Sequence, residues 1–195
     1  MNSWHPFSLN ELAVSRWRNG GGETREIVSW PLNTPEFAWR ASIATIAADG
    51  PFSAFPGIDR SITLLSGEGV HLSDNGLINH SLNTIGAPFP FSGDLALNAR
   101  LLGGTTMDFN LMTRRGVCSS RVVVLRESGV VTRGKGGVLY AIEGDWQLPD
   151  GTHFGKGEGF WWADDDSHAQ AQWRVSPLAD AQATLNLLLW ALVTD

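Results

Sequence analysis

From Glu26 onward, short runs of alternating apolar and polar residues end at turn signals, with no long helical period between them. Glu26-Ile27-Val28-Ser29-Trp30 alternates and stops at Pro31. Residues 37–46 place Phe37, Trp39, Ala41 and Ile43 on one face and Ala38, Arg40, Ser42 and Ala44 on the other, because side chains alternate along a strand. Asp49-Gly50-Pro51 and Pro56-Gly57 punctuate the chain before a further strand over 60–65. Gly67-Glu68-Gly69 and Asp74-Asn75-Gly76 then turn it twice more. The pattern predicts an all-β chain, a sandwich or a barrel. Residues 8–15 hold few strand formers and read as a short helical turn or an extended arm.

An internal echo refines this. Thr63-Leu64-Leu65-Ser66-Gly67-Glu68-Gly69 resembles Tyr140-Ala141-Ile142-Glu143-Gly144-Asp145-Trp146. Each is followed by a short strand, a turn (Asp74-Asn75-Gly76 or Pro149-Asp150-Gly151) and an aromatic segment (Pro88-Phe89-Pro90-Phe91 or Phe160-Trp161-Trp162). Asn110-Leu111-Met112 and Asn186-Leu187-Leu188 come late in each half. Two related β-rolls in one chain account for the pattern. We place them at 1–116 and 117–195, packed as one compact unit, with the ligand pocket in the first and a mainly structural second roll.

Composition narrows the function. A net charge of -6 spread over 195 residues argues against a nucleic-acid or anionic-membrane partner. The single cysteine, Cys118, cannot form an intramolecular disulfide, which fits a reducing cytoplasm. Met1-Asn2-Ser3-Trp4-His5-Pro6 lacks the features of a secretion signal, and the longest apolar stretch, Leu187 to Val193, is too short to span a bilayer. The expectation is a soluble cytoplasmic domain, its oligomeric state open and a homodimer included.

The most unusual stretch is Trp17-Arg18-Asn19-Gly20-Gly21-Gly22-Glu23-Thr24-Arg25-Glu26-Ile27. Three consecutive glycines cost conformational entropy on folding, so either their backbone freedom is used or the run is a plain surface hairpin. Taken with Trp39-Arg40-Ala41-Ser42-Ile43-Ala44, Phe52-Ser53-Ala54-Phe55-Pro56-Gly57-Ile58-Asp59-Arg60 and Met107-Asp108-Phe109-Asn110-Leu111-Met112-Thr113-Arg114, it resembles the HutD/Ves family from about Phe7 to the last strand. The resemblance implies a cupin-type double-stranded β-barrel of two related rolls, bicupin-like. It also implies a role in bacterial histidine utilisation or environmental stress, with no enzyme activity attached.

Metal-dependent cupins hold a divalent ion with a His-x-His pair and a glutamate ahead of a hairpin glycine. If Gly67 is that glycine, Arg60 takes the glutamate position, and Ala54 and Pro56, or Ser53 and Phe55, take the histidine positions. In the second roll Gly144 puts Gly137 at the glutamate position. The five histidines have no ligand spacing, so we expect no metal and no cofactor.

The same positions carry basic and polar groups. Arg40 and Ser42 share a strand face, and Asp108, Asn110 and Met112 share another. A buried guanidinium needs a partner. Either Arg40, Arg60 and Asp108 satisfy one another, or Asp108 pairs one arginine and the other binds an anion, for which a planar fork suits a carboxylate. The expected ligand is a small carboxylate, on the family association a histidine-degradation intermediate. Arg40 and Arg60 hold its carboxylate, Asp108 and Asn110 read its far end, and Asn19, Thr24 and the Gly20-Gly21-Gly22 backbone close the mouth, with Ser42 beside Arg40. Two alternatives are a metal-independent isomerase, hydrolase or lyase using Asp108 as base, and a protein-interaction module. Asp164-Asp165-Asp166 with His168 lacks EF-hand spacing and reads as a solvated turn. Cys118, near Arg114, Arg115 and Arg121, reads as an ordinary strand residue.

Overall fold

Strand formation follows the alternation almost throughout. A computed structural model describes residues 4–163, 171–178 and 185–195, and among these the one helical element is the 3-10 turn Leu9–Glu11. The stretches expected over 26–30, 37–46 and 60–65 are strands Gly22–Trp30, Trp39–Ile46 and Ile58–Ser66. Asp164 to Asp166 and His168 lie outside the described residues. No helix among the described residues is long and apolar enough to cross a membrane.

Residues Ala13–Ser119 form one unit. Its six-stranded antiparallel sheet runs in the order Val14–Arg16, Gly22–Trp30, Trp39–Ile46, Thr106–Arg114, Ile58–Ser66, Pro88–Ser92. Its four-stranded sheet runs Gly50–Phe52, Leu97–Leu101, Val70–Ser73, Asn79–Leu82. Ile46, Ile62, Leu64 and Phe91 from the first sheet meet Phe52, Leu72, Leu82 and Leu97 from the second in one apolar core. Residues of one strand that point inward therefore alternate with residues that point away, and the inward rows define where a site can open.

Ser120–Asp195, joined by the N-terminal residues through Leu12, form the other unit. The five-stranded sheet here runs His5–Ser8, Glu158–Ala163, Gly136–Glu143, Leu187–Thr194, Ser119–Leu125, and the four-stranded one Gly129–Thr132, Gln172–Pro177, Trp146–Gln147, His153–Phe154. The entry strand departs from the expected 1–116 division: His5 pairs with Trp161 and Ser8 with Glu158. Trp4 adds edge contacts to Phe160 and Trp162. An edge strand takes whatever ladder satisfies its backbone groups, and sequence distance does not forbid a partner about 150 residues away.

Strand order repeats between the units. Read by chain order, Trp39–Ile46, Thr106–Arg114, Ile58–Ser66, Pro88–Ser92 corresponds to Ser119–Leu125, Leu187–Thr194, Gly136–Glu143, Glu158–Ala163, and the four-stranded sheets correspond likewise. Gly67 and Gly144 follow equivalent strands with φ of 90° and 82°. A Cβ on Gly67 would strike Thr105 and Thr106, and one on Gly144 would strike Asn186. Asn186 thus matches Thr106, not Asn110, and the Asn-Leu echo is out of register.

Candidate functional site

The three glycines are each used differently. Gly20 adopts φ 72° in the turn where its N–H donates to Trp17 O at 3.0 Å. Gly21 N donates to Asn19 Oδ1 at 2.9 Å, and its carbonyl accepts from Ala47 N and Ala48 N. At Gly22 a Cβ would lie 2.4 Å from Thr45 O and 3.0 Å from the Trp17 ring, so only glycine lets the loop close. Trp17 Nε1 then donates to Thr24 Oγ1 at 2.8 Å, and the indole stands edge-on to Phe52 with centroids 6.3 Å apart.

This loop forms one side of a cleft of about 550 Å³ in the Ala13–Ser119 unit. Trp17, Arg18 and Asn19 come from the loop; Arg16, at the end of strand Val14–Arg16, and Thr24, Arg40, Ser42, Ala44, Asn110 and Met112 come from the sheet; Pro51, Phe52, Ser53, Phe55 and Arg60 complete the lining. Pairing register explains the sheet's share, since directly opposed antiparallel residues project from the same face. One row is Arg40, Met112, Arg60; the next is Ser42, Asn110, Ile62; the third is Thr24, Ala44, Asp108, Leu64.

Of the residues expected at the site, Asn19, Thr24, Arg40, Ser42, Arg60 and Asn110 line the cleft. Gly20, Gly21 and Gly22 do not; they shape the loop that carries Trp17 and Asn19. Asp108 is fully buried between Ala44 and Leu64 and is not part of the lining. Arg16, Trp17, Arg18 and Ser53 were outside the expected set. Their signal is the clustering of charge and an indole immediately before a glycine loop, and, for Ser53, the spacing from Gly67 that makes it one of the alternative histidine positions of the expected cradle.

Arg60 is the electrostatic centre. It is 8% exposed, with Nη1 donating to Ser53 O at 3.3 Å and Nη2 to Asn110 Oδ1 at 3.1 Å. Its Nε is buried without a hydrogen-bond partner. The guanidinium lies 5.0 Å from the Phe91 centroid, 5.3 Å from Phe55 and 5.8 Å from Phe52. Burial, and secondarily the Arg40 charge, lower its pKa to about 10, so it stays charged at neutral pH. Arg40 is paired elsewhere, with Nε donating to Glu26 Oε2 at 2.7 Å.

The internal network of Arg40, Arg60 and Asp108 therefore does not form. Both Asp108 oxygens are buried without hydrogen-bond partners, and burial raises this carboxyl to about 7. Among the described residues no carboxylate pairs with Arg60, and none of the residues lining the cleft is an Asp or Glu. Nor does any group of three or more His, Cys, Asp or Glu side chains among the described residues stand ready to hold a metal ion. Cys118 donates its Sγ–H to Ala38 O at 3.1 Å.

Comparison with known proteins gives one consistent result. A model of the HutD family matches residues 9–180. Protein Ves of Escherichia fergusonii is 43% identical over 145 residues, covering 74% of this chain and 75% of that one. The structure of HutD from Pseudomonas fluorescens SBW25, from a formate condition, aligns with a TM-score of 0.82 at 24% identity over 98% of each chain. Oxalate decarboxylase of Lactobacillus farciminis, as a formate complex, aligns with a TM-score of 0.65 at 7% identity, over 95% of this chain and 85% of that one. Likeness at such low identity speaks for the fold alone: all-β, with cupin-like neighbours.

Proposed function

The chain belongs to the HutD family, and we propose that it is a binding protein whose cleft takes a small carboxylate without the help of a metal. The observation that carries this reading is Arg60: a buried, charged guanidinium that reaches the cleft, bonded only to neutral oxygens. Desolvating a cation costs several kcal/mol, and three aromatic rings with a carbonyl and an amide offset only part of it. An anion arriving in the cleft supplies the missing counter-charge, and the planar fork favours a carboxylate. The apolar walls, Phe52, Phe55 and Met112, suit the ligand's carbon skeleton.

On this reading the protein modulates histidine utilisation or a stress response in the cytoplasm by holding an intermediate, for which urocanate and formylglutamate are the first probes. The scaffold is two cupin-type β-rolls in one chain, a reading supported by the repeated strand order. Catalysis on the same ligand would call on Asp108, whose pKa of about 7 suits a general base. Its carboxyl is fully buried, makes no hydrogen bond and is not among the residues lining the cleft, which favours binding over turnover.

Calorimetry with acetate, urocanate and formylglutamate tests the reading, with Arg60→Met as the variant. A hydrogen bond to a charged group contributes about 1.5–3 kcal/mol, so the best acid should bind at least tenfold more weakly to the variant. Equal binding by parent and variant would make Arg60 structural, and turnover of a probe by the purified protein would move the function to catalysis.

A further inference from the structure

A surface network centred on Arg115 reaches Arg60 without entering the cleft. Arg115 follows strand Thr106–Arg114 and closes on two carboxylates. Its Nε and Nη2 donate to Asp59 Oδ1 at 3.0 and 2.8 Å, and its Nη1 donates to Asp94 Oδ2 at 2.9 Å. Nη2 also donates to Ser92 Oγ at 3.1 Å. Asp94 turns its other oxygen to the backbone, accepting from Gly57 N at 2.7 Å, while Gly57 O accepts from Arg115 N at 2.9 Å. Arg115 and Asp94 thus grip both polar groups of Gly57, in the turn that follows Phe55. The hydrogen bond from Gly57, then those from Arg115 and Ser92, hold the Asp94 carboxyl below the usual carboxylate range.

That turn is seated against the buried cation. Phe55 N donates to Gly93 O at 2.6 Å, Ile58 N to Phe55 O at 3.1 Å and Gly93 N to Ile58 O at 2.7 Å. A Cβ on Gly93 would lie 2.8 Å from Phe55 O and 3.4 Å from Arg60 Cδ, so Gly93 packs close to the arginine stem. The same stretch supplies Ser53 O and the Phe55 ring, two of the groups that hold the Arg60 guanidinium. Asp59 and Ser92 pair across the ladder one residue along from Arg60 and Phe91, so their side chains leave the sheet on the opposite face. None of Arg115, Asp59 and Asp94 lines the cleft. Single exposed ion pairs contribute little to stability, but a forked arginine between two carboxylates fixes geometry.

Resting on the carboxylate reading above, we infer that Arg115 is a positioning residue for the anion site: its clasp with Asp59 and Asp94 sets the turn at 55–57 and through it the pose of Arg60. The clasp carries both signs of charge, which separates positioning from a long-range field. Removing Arg115 deletes a positive charge, and removing Asp94 deletes a negative one. A field acting on the ligand would move affinity in opposite directions, whereas a displaced turn moves it the same way. Lysine keeps the charge of Arg115 but presents no fork to two carboxylates.

The test measures acetate, urocanate and formylglutamate on the full chain by calorimetry, with Arg115→Met, Arg115→Lys and Asp94→Ala as variants. The Arg115 and Asp94 side chains are about half exposed, so these changes leave the core intact, and thermal melts check folding at the assay temperature. All three variants should bind the best acid roughly three- to tenfold more weakly, the yield of about one ordinary hydrogen bond. Proton–nitrogen correlation spectra add a readout that needs no ligand. The Arg60 Nε–H resonance, assigned by its loss in Arg60→Met, should shift in both Arg115→Met and Asp94→Ala. Parent-like affinity in those two variants, affinity changes of opposite sign, or full rescue by Arg115→Lys would overturn the proposal while leaving the carboxylate reading in place. If no acid binds the parent, the carboxylate reading fails and the resonance decides the clasp: a shift in both variants supports it, and an unmoved resonance overturns it.

Discussion

Arg60 Nη2 donates to Asn110 Oδ1 at 3.1 Å, although strand pairing sets Asn110 opposite Ile62 and Arg60 opposite Met112. The bond is diagonal across the ladder, so a neutral amide oxygen occupies the place a carboxylate would take beside a buried cation. Asn110→Asp converts that oxygen into a counter-ion with almost no change of shape. We expect the variant to hold or raise its melting temperature and to bind the acid at least tenfold more weakly, because the arginine is then already satisfied. Calorimetry and thermal melts on the same preparation check both halves, and undiminished binding would contradict the role given to Arg60.

How far the sequence reaches is visible in the same two residues. The two-residue period put Arg40 with Ser42 and Asn110 with Met112 on common faces, and spacing from Gly67 singled out Arg60; all of these line the cleft. The fate of Asp108 was not legible, because it depends on cross-strand register. The ladder sets Asp108 against Leu64 and Ala44, two rows along from the row that holds Arg40, Met112 and Arg60. Local alternation gives the face of a residue but not its partner across the ladder. The pairing of His5–Ser8 with Glu158–Ala163 was hidden for a related reason: long-range partners are chosen by tertiary packing, not by neighbours in sequence.

Asp108 predicts a pH dependence of stability. Burial raises its pKa from the ordinary 3.8 to about 7, so the folded protein holds this proton more tightly than the unfolded chain. The stabilisation is complete below pH 3.8 and is lost as pH rises through about 7. Between pH 5 and pH 8.5 the loss should be about 3 kcal/mol relative to Asp108→Asn, which cannot ionise. Urea unfolding of both proteins at the two pH values measures it. A parent that tracks the variant across this range would show that the carboxyl is not neutral in the fold.

Elemental analysis supplies a simpler check on the metal-free reading. Counted back from Gly67, Arg60 takes the position expected for a cupin glutamate ligand, and Ser53 O and the Phe55 ring lie beside it. A cation placed there would meet a guanidinium instead of imidazole and carboxylate donors. Protein purified without chelator should therefore carry iron, zinc and manganese only at substoichiometric levels. One tightly held equivalent of any of them, lost on substitution of a residue in this cleft, would contradict it.

The glycine loop yields the last prediction. A methyl group on Gly22 would come within 2.4 Å of Thr45 O, and strand Trp39–Ile46 holds that carbonyl in the sheet. The Trp17 ring, at 3.0 Å, has little room to retreat because Nε1 is bonded to Thr24 and the indole abuts Phe52. Overpacking of this kind costs about 1–3 kcal/mol, so Gly22→Ala should lower stability by that amount. Relief of the clash requires the loop to lift, which moves Arg16, Trp17 and Arg18 together, so acid binding should weaken as well. Gly104 is the control, since a Cβ there meets nothing within 4 Å and its φ is not in the left-handed region. Gly104→Ala should be neutral or stabilising by up to about 1 kcal/mol through the unfolded chain. Equal stability and equal binding for Gly22→Ala and Gly104→Ala would show that the close approach at Gly22 does not set the loop.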